Sequence, residues 1–151
     1  MRRLRLLVAD DHQAVREALV SVLELAGFEV VAQAGDGADA VALTRKLVPD
    51  VVLMDLSMPV LGGLEATRLL REVLPDVPVV ILSGFDSEHL EQQALAAGAA
   101  AYLVKGCTLE QLLAALDQPR RSSSGAALSP PVRSATRRRA GSDSCGRSPR
   151  R

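Results

Sequence analysis

The sequence predicts an α/β fold built on an open parallel sheet of five strands. Between residues 4 and 117, short apolar runs alternate five times with segments of helical period. Runs that are apolar at every position, bounded by turn residues, are how strands buried on both faces of a parallel sheet read. Gly and Pro fall between the runs rather than within them, which fits connections on a compact domain.

Taken in order, Leu4–Ala9 is the first strand. Val15, Leu19, Val22, Leu23 and Ala26 recur at helical spacing, and Gly27 stands where a helix stops. Phe28–Ala34 is the second strand, and Asp39–Lys46 a helix ended by Val48-Pro49. Val51–Met54 is the third strand, followed by a loop over Ser57–Gly63 and a helix over Leu64–Leu74. Pro75 and Pro78 bracket a turn before the fourth strand, Val77–Leu82. Ser87 is placed to cap a helix running to about Ala97. Ala101–Val104 is the fifth strand, and Thr108-Leu109-Glu110-Gln111 has the capping-box pattern that opens a last helix. Gln118-Pro119 is expected to end it. Five such units bury one sizeable core. With one Tyr, two Phe and no Trp, that core must be built from Val, Leu, Ile and Ala.

The net charge of zero conceals a division. Residues 1–118 hold 9 Lys and Arg against 17 Asp and Glu, whereas residues 119–151 hold 9 Arg and one Asp. An acidic globule therefore carries a basic tail. The tail also has 8 Ser, 4 Pro and 3 Gly, with Leu128 and Val132 its only large aliphatics. It cannot bury enough apolar surface to offset the entropy of ordering it, so it is expected to be disordered. Cys107 and Cys145 form no Cys-x-x-Cys, which argues against a zinc site or disulfide framework and for a cytoplasmic protein. No segment has the length or apolarity of a membrane span.

The chemistry lies at the strand ends. Asp10, Asp11, Asp55, Ser83 and Lys105 each sit at the end of an apolar run. In an open parallel sheet, the carboxyl ends of the strands line the ligand crevice. Three carboxylates, a hydroxyl and an ammonium should therefore converge. Clustered carboxylates repel unless they share a cation, and hard oxygen ligands suit Mg²⁺. A carboxylate beside Mg²⁺ and Lys can attack a phosphoryl group and hold it as an acyl phosphate. One Asp at a strand end is usually a cap or turn residue, but that explanation accounts poorly for three of them with Lys105.

These motifs, in this order, resemble the receiver domain of two-component response regulators: Val-Ala-Asp10-Asp11-His12, Leu-Met-Asp55-Leu-Ser-Met-Pro59 with Gly62-Gly63, Leu-Ser83-Gly84, and Tyr102-Leu-Val-Lys105. Asp-Asp-His with Arg16, and Gly63-Leu-Glu-Ala-Thr-Arg68, resemble the NarL/FixJ type. The resemblance covers residues 4–117 and places a receiver domain at 1–118, with 119–151 as the tail. It implies a doubly wound, flavodoxin-like sheet in the order 2-1-3-4-5. It also implies that Asp55 takes a phosphoryl group from a phosphohistidine on a partner histidine kinase. Asp11 would ligate Mg²⁺ directly, Asp10 largely through water, and the Ser57 carbonyl would complete the protein ligands. Lys105 would pair with phosphoryl oxygen. Ser83 would donate its hydroxyl to the arriving group, and Tyr102 would move inward with it, switching a surface for protein partners or homodimerisation. Such a protein is not an enzyme beyond assisting its own phosphorylation and dephosphorylation. The family often has Pro after this Lys, where Gly106 stands here, and often a polar residue where Phe85 stands. Phe85 could shield the acyl phosphate from water.

Other readings compete. Gly35-Asp36-Gly37-Ala38-Asp39-Ala40 matches a dinucleotide-binding fingerprint, with Asp55 at the expected distance. However, Asp36 and Asp39 would repel a pyrophosphate, and the strand before them belongs at the sheet edge. A turn and helix start explains them better. An Asp-nucleophile phosphatase would need its nucleophile after the first strand with a second Asp two residues on, which Asp10-Asp11-His12-Gln13 does not supply. His12 and His89 lack metal-like spacing and read as surface residues. NarL/FixJ-type proteins usually carry a helix-turn-helix output domain, and no such pattern follows residue 118. The tail is open to three readings: a solvated end, a weak nucleic-acid contact through Arg137-Arg138-Arg139, or the product of a truncated or frameshifted DNA-binding regulator.

Overall fold

The computed structural model describes residues 3–123. Strands and helices alternate as β1 (Arg5–Ala9), α1 (Gln13–Leu25), β2 (Glu29–Ala34), α2 (Gly37–Leu47), β3 (Val51–Asp55), α3 (Gly63–Val73), β4 (Val79–Ser83), α4 (Glu88–Ala96), β5 (Ala101–Val104) and α5 (Leu109–Ser123). The strands form one parallel sheet in the order β2-β1-β3-β4-β5, as expected. Its register sets Leu7 beside Val52, Val52 beside Val79, and Ile81 beside Tyr102.

The alternation of side chains along each strand divides the core into two layers. On one face Leu6, Val8, Val51, Leu53, Val80, Leu82, Ala101 and Leu103 pack with Leu23 of α1 and with Leu112, Ala115 and Leu116 of α5. On the other, Leu7, Val52, Met54, Val79, Ile81 and Tyr102 pack with Ala40, Ala66, Leu70 and Ala94 from α2, α3 and α4. Small Ala residues on the helices let them approach a sheet whose own side chains are large. Leu116 is fully buried between α5 and the sheet. Leu116→Ala should therefore cost about 2–5 kcal/mol, the usual range for emptying a core Leu site; urea unfolding measures it.

The helix signals act as read, with local shifts. Ser87 Oγ accepts from the Leu90 N–H at 3.2 Å, and Thr108 and Gln111 cap each other reciprocally, at 2.9 and 3.1 Å. α2 starts at Gly37 rather than Asp39, because Asp36 Oδ1 accepts from the Asp39 N–H at 2.7 Å and so caps it. That cap, together with β2 at the sheet edge, removes the dinucleotide reading. β4 starts at Val79 rather than Val77, since Pro78 has no N–H and contributes only its carbonyl, which accepts from Val52 at 3.0 Å.

α5 does not end at Gln118-Pro119 but continues to Ser123. A proline removes only its own hydrogen bond to the carbonyl four residues back and disfavours helix at the residue before it. Here the helix passes through that loss. The expected disordered tail thus overlaps the helix at 119–123, and from residue 124 it lies outside the described residues. No helix among the described residues is long and apolar enough to cross a membrane.

Candidate functional site

Strand alternation explains which groups meet. Asp10 comes two residues after Val8, Asp55 two after Leu53, and Lys105 two after Leu103, and those three predecessors all lie in the layer under α1 and α5. Each charged group thus extends a buried column to the end of the sheet. Ser83 follows Ile81 in the same way, on the opposite face, which it shares with Tyr102.

The expected convergence is present for four groups. Lys105 Nζ stands 3.0 Å from Asp10 Oδ2 and 3.3 Å from Asp55 Oδ1. Asp10, Asp11, His12 and Asp55 each offer a ligand atom, and these atoms all lie within 4.8 Å of one another. Asp10 is 1% exposed and Asp55 5%, while Asp11 and His12 form the open rim. Ser57 is exposed in the loop directly after β3.

The backbone holds Asp10 closely. Its N–H donates to the Ala34 carbonyl at 3.0 Å, and its carbonyl accepts from Arg16 Nη1 at 2.6 Å. Asp10 Oδ1 accepts from the His12 N–H at 2.9 Å, which turns the chain into α1. Asp55 is set by Leu56, whose N–H reaches the Leu82 carbonyl at 3.3 Å and whose carbonyl accepts from the Gly63 N–H at 2.9 Å. The loop between them carries Val60 at φ 68, a conformation costly for a β-branched residue.

The charges are strained against one another. Burial, then the charge of Asp10 and more weakly that of Asp11, raises the Asp55 carboxyl above its ordinary range, and Lys105 only partly opposes this. Burial alone would lower the Lys105 ammonium, but its contacts with Asp10 and Asp55 outweigh that and raise it. The buried Asp10 Oδ2 is paired with the Lys105 ammonium at 3.0 Å. One ammonium is shared between Asp10 and Asp55, with the Asp11 carboxylate in the same cluster, and this excess of oxygen donors and negative charge suits a hard divalent cation such as Mg²⁺.

Ser83 and Tyr102 belong to an adjoining network. The buried Ser83 Oγ accepts from the Phe85 N–H at 3.0 Å, and the Ser83 carbonyl accepts from the Lys105 N–H at 2.6 Å. The Tyr102 hydroxyl donates to the Phe85 carbonyl at 2.6 Å, with its ring already inward and 2% exposed. Phe85 is 60% exposed. Tyr102→Phe removes one hydrogen bond and should cost about 0.5–1.5 kcal/mol, read from urea unfolding. Gly106, after Lys105, adopts φ 100, a conformation open to Gly and costly for other residues.

The sequence matches the response regulator receiver domain over residues 6–117. The chain belongs to that family. It is 43% identical over 116 residues to the response regulator GacA of Pseudomonas aeruginosa, covering 76% of this chain and 54% of that protein. The transcriptional regulatory protein DegU of Brevibacillus brevis is 40% identical over 115 residues, covering 76% of this chain and 49% of that protein. This receiver chain thus spans about half the length of the curated relatives it matches. Among solved structures, the signal receiver domain of NarL from Mycobacterium tuberculosis superimposes with a TM-score of 0.74 at 36% identity, covering 80% of this chain and 98% of that one. The NarL/FixJ character read from Asp-Asp-His agrees with these relatives.

Two contributors to the site were not legible as such. His12 reads as a surface residue, and its side chain is 68% exposed, yet its Nδ1 stands 3.1 Å from Asp11 Oδ1. Its position next to the paired Asp at a strand end was the available signal. Arg16, one helical turn further on, is fixed to the Asp10 carbonyl, and it also donates to Gln33 on β2 at 3.2 Å.

Proposed function

We propose that this receiver accepts a phosphoryl group on Asp55 from a phosphohistidine of a partner histidine kinase and, once charged, switches a protein-interaction surface. One observation carries the reading. Asp55 is a buried carboxylate within 3.3 Å of Lys105, in a cluster with Asp10 and Asp11 at the ends of parallel strands. An Asp55 oxygen attacks phosphorus, the phosphorus–nitrogen bond of the donor breaks, and the imidazole leaves with that electron pair. Asp11 would hold Mg²⁺ directly, Asp10 largely through water, and Asp55 and the Ser57 carbonyl would complete the protein ligands. The cation would neutralise charge on the transferring group.

Lys105 would shift from the carboxylates to phosphoryl oxygen, as a compact point charge. Ser83 Oγ accepts from Phe85, so its own proton remains to donate to the phosphoryl group. Drawing Ser83 away would loosen the Phe85 backbone that anchors Tyr102. The added charge of roughly −1.5 to −2 thus reaches the surface around β4 and β5. In this reading the protein acts in the cytoplasm, catalyses nothing beyond its own phosphorylation and dephosphorylation, and dimerises or binds partners on charging.

With acetyl phosphate and Mg²⁺, the protein should gain one acid-stable, base-labile phosphoryl group, detected by intact mass and mapped to the peptide holding Asp55. No uptake, or uptake independent of Mg²⁺, would overturn the reading. A second reading, DNA-binding regulation, rests on the greater length of the relatives, one of which is named a transcriptional regulator. A helix-turn-helix pattern encoded downstream of codon 118 in any frame would support it.

A further inference from the structure

α1 and α5 share one face of the sheet, and an apolar groove of about 440 Å³ opens between them. Val15, Leu19 and Val22 line one wall, Leu109 and Leu112 the other, and Cys107 lies in the turn before α5. Val15, Val22 and Leu109 are left 37%, 39% and 46% exposed. Water held against such a stripe is unfavourable, and an apolar segment laid over it removes that cost.

The chain that continues past α5 contains a segment of the right kind. Its large aliphatics, Leu128 and Val132, flank Pro130-Pro131, which favour an extended backbone. In that conformation the two stand about 12 Å apart. Val15 and Val22, seven residues apart on α1, are separated by about 10 Å. α5 ends at Ser123, about 21 Å along the helix axis from Leu109, and residues 124–132 can span up to about 30 Å. Gly125 is a residue type that lets a chain turn back after a helix.

Charge favours the same placement. Residues 1–118 hold 17 acidic groups against 9 basic, and residues 119–151 hold 9 Arg against one Asp. Arg133 directly follows Val132, and the groove reaches Lys105, beside which the carboxylates of Asp10, Asp11 and Asp55 gather. The segment cannot build a core of its own, but this groove is already formed, and tethering holds the segment at an effective concentration on the order of millimolar. We propose that residues 126–132 fold back along the α1–α5 groove and seat Leu128 over Val22 and Val132 over Val15, so that the tail covers this face. A partner that uses the face must first displace the tail.

Cys107 reports occupancy, because its thiol lines the groove. The full chain is alkylated with iodoacetamide under a phosphine reductant, and labelling of Cys107 is followed by peptide mass, separately from Cys145. The double variant Leu128→Asp, Val132→Asp should label at Cys107 at least threefold faster than the wild type. Ala140→Asp, which makes one charge change outside the seated segment, should match the wild type. Raising NaCl to about 0.5 M should speed the wild type and leave the double variant nearly unchanged, because salt screens the attraction that helps hold the tail. Equal Cys107 rates in the wild type and the double variant overturn the proposal. So does protection that grows with protein concentration, which would mean that a second copy covers the groove.

Discussion

Asp55→Asn should abolish phosphoryl uptake and, without divalent cations, make the protein more stable. The amide keeps the shape of the carboxylate but removes a charge that burial and the neighbouring Asp10 hold in an unfavourable state. Two carboxylates about 4 Å apart repel by about 1 kcal/mol in water and about 4 kcal/mol at an effective dielectric of 20. Lys105 offsets part of this and keeps Asp10 as a partner in the variant. A net gain of roughly 1–2 kcal/mol is expected, or several degrees in melting temperature for a domain of this size.

The pH dependence has a definite sign. A carboxyl raised on folding binds protons more readily in the native state, so stability falls as pH rises through the raised range. The advantage of Asn should thus be full near neutrality and vanish as pH falls below the ordinary carboxylate value of 3.8. Mg²⁺ should stabilise the wild type by mass action and the variant less. Thermal unfolding of both proteins, with and without Mg²⁺, checks this. A variant less stable than the wild type at neutral pH, with equal shifts on adding Mg²⁺, would mean that the carboxylates share no cation.

Gly63→Ala should damage both stability and function. A Cβ at Gly63 would meet the carbonyl oxygen of Asp55 and stand 3.0 Å from Leu56 Cα. These are backbone atoms at the end of β3 that cannot turn aside as a side-chain tip would. Forcing α3 and β3 apart should cost about 3 kcal/mol. The displacement falls on Asp55, the proposed nucleophile, and a shift of about 1 Å at a reacting group can cost about 100-fold in rate. Gly84→Ala is the control for stability, because its Cβ would meet nothing within 4 Å. Equal unfolding midpoints for the two variants would show that the close approach of α3 is not maintained.

Most of the sheet and much of the site were legible because strand alternation is rigid. Once Leu53 is buried under α1 and α5, Asp55 must emerge on the same side, and the same holds for Asp10 and Lys105. Strand and helix limits were less legible where a side chain overrides local composition. Asp36 draws α2 back over a Gly-Asp-Gly stretch that reads as a turn, and Pro78 delays β4. The end of α5 was misjudged because propensity treats Pro119 as a stop, whereas the helix loses one bond there and continues. His12 is a surface residue, as read, but its contact with Asp11 was not legible, because it depends on the turn that Asp10 Oδ1 makes with the His12 N–H.

The parallel topology brings together the first strand and the last, with Asp10 leaving β1 and Lys105 leaving β5 at one edge of the crevice. No run of consecutive units short of the whole contains both. A nascent chain holding the first four strands carries the acidic residues but not their ammonium partner. The carboxylates lack that partner until β5 docks beside β4. Local opening of either terminal unit separates Asp10 from Lys105. Under the proposed function, phosphoryl acceptance then requires the complete fold.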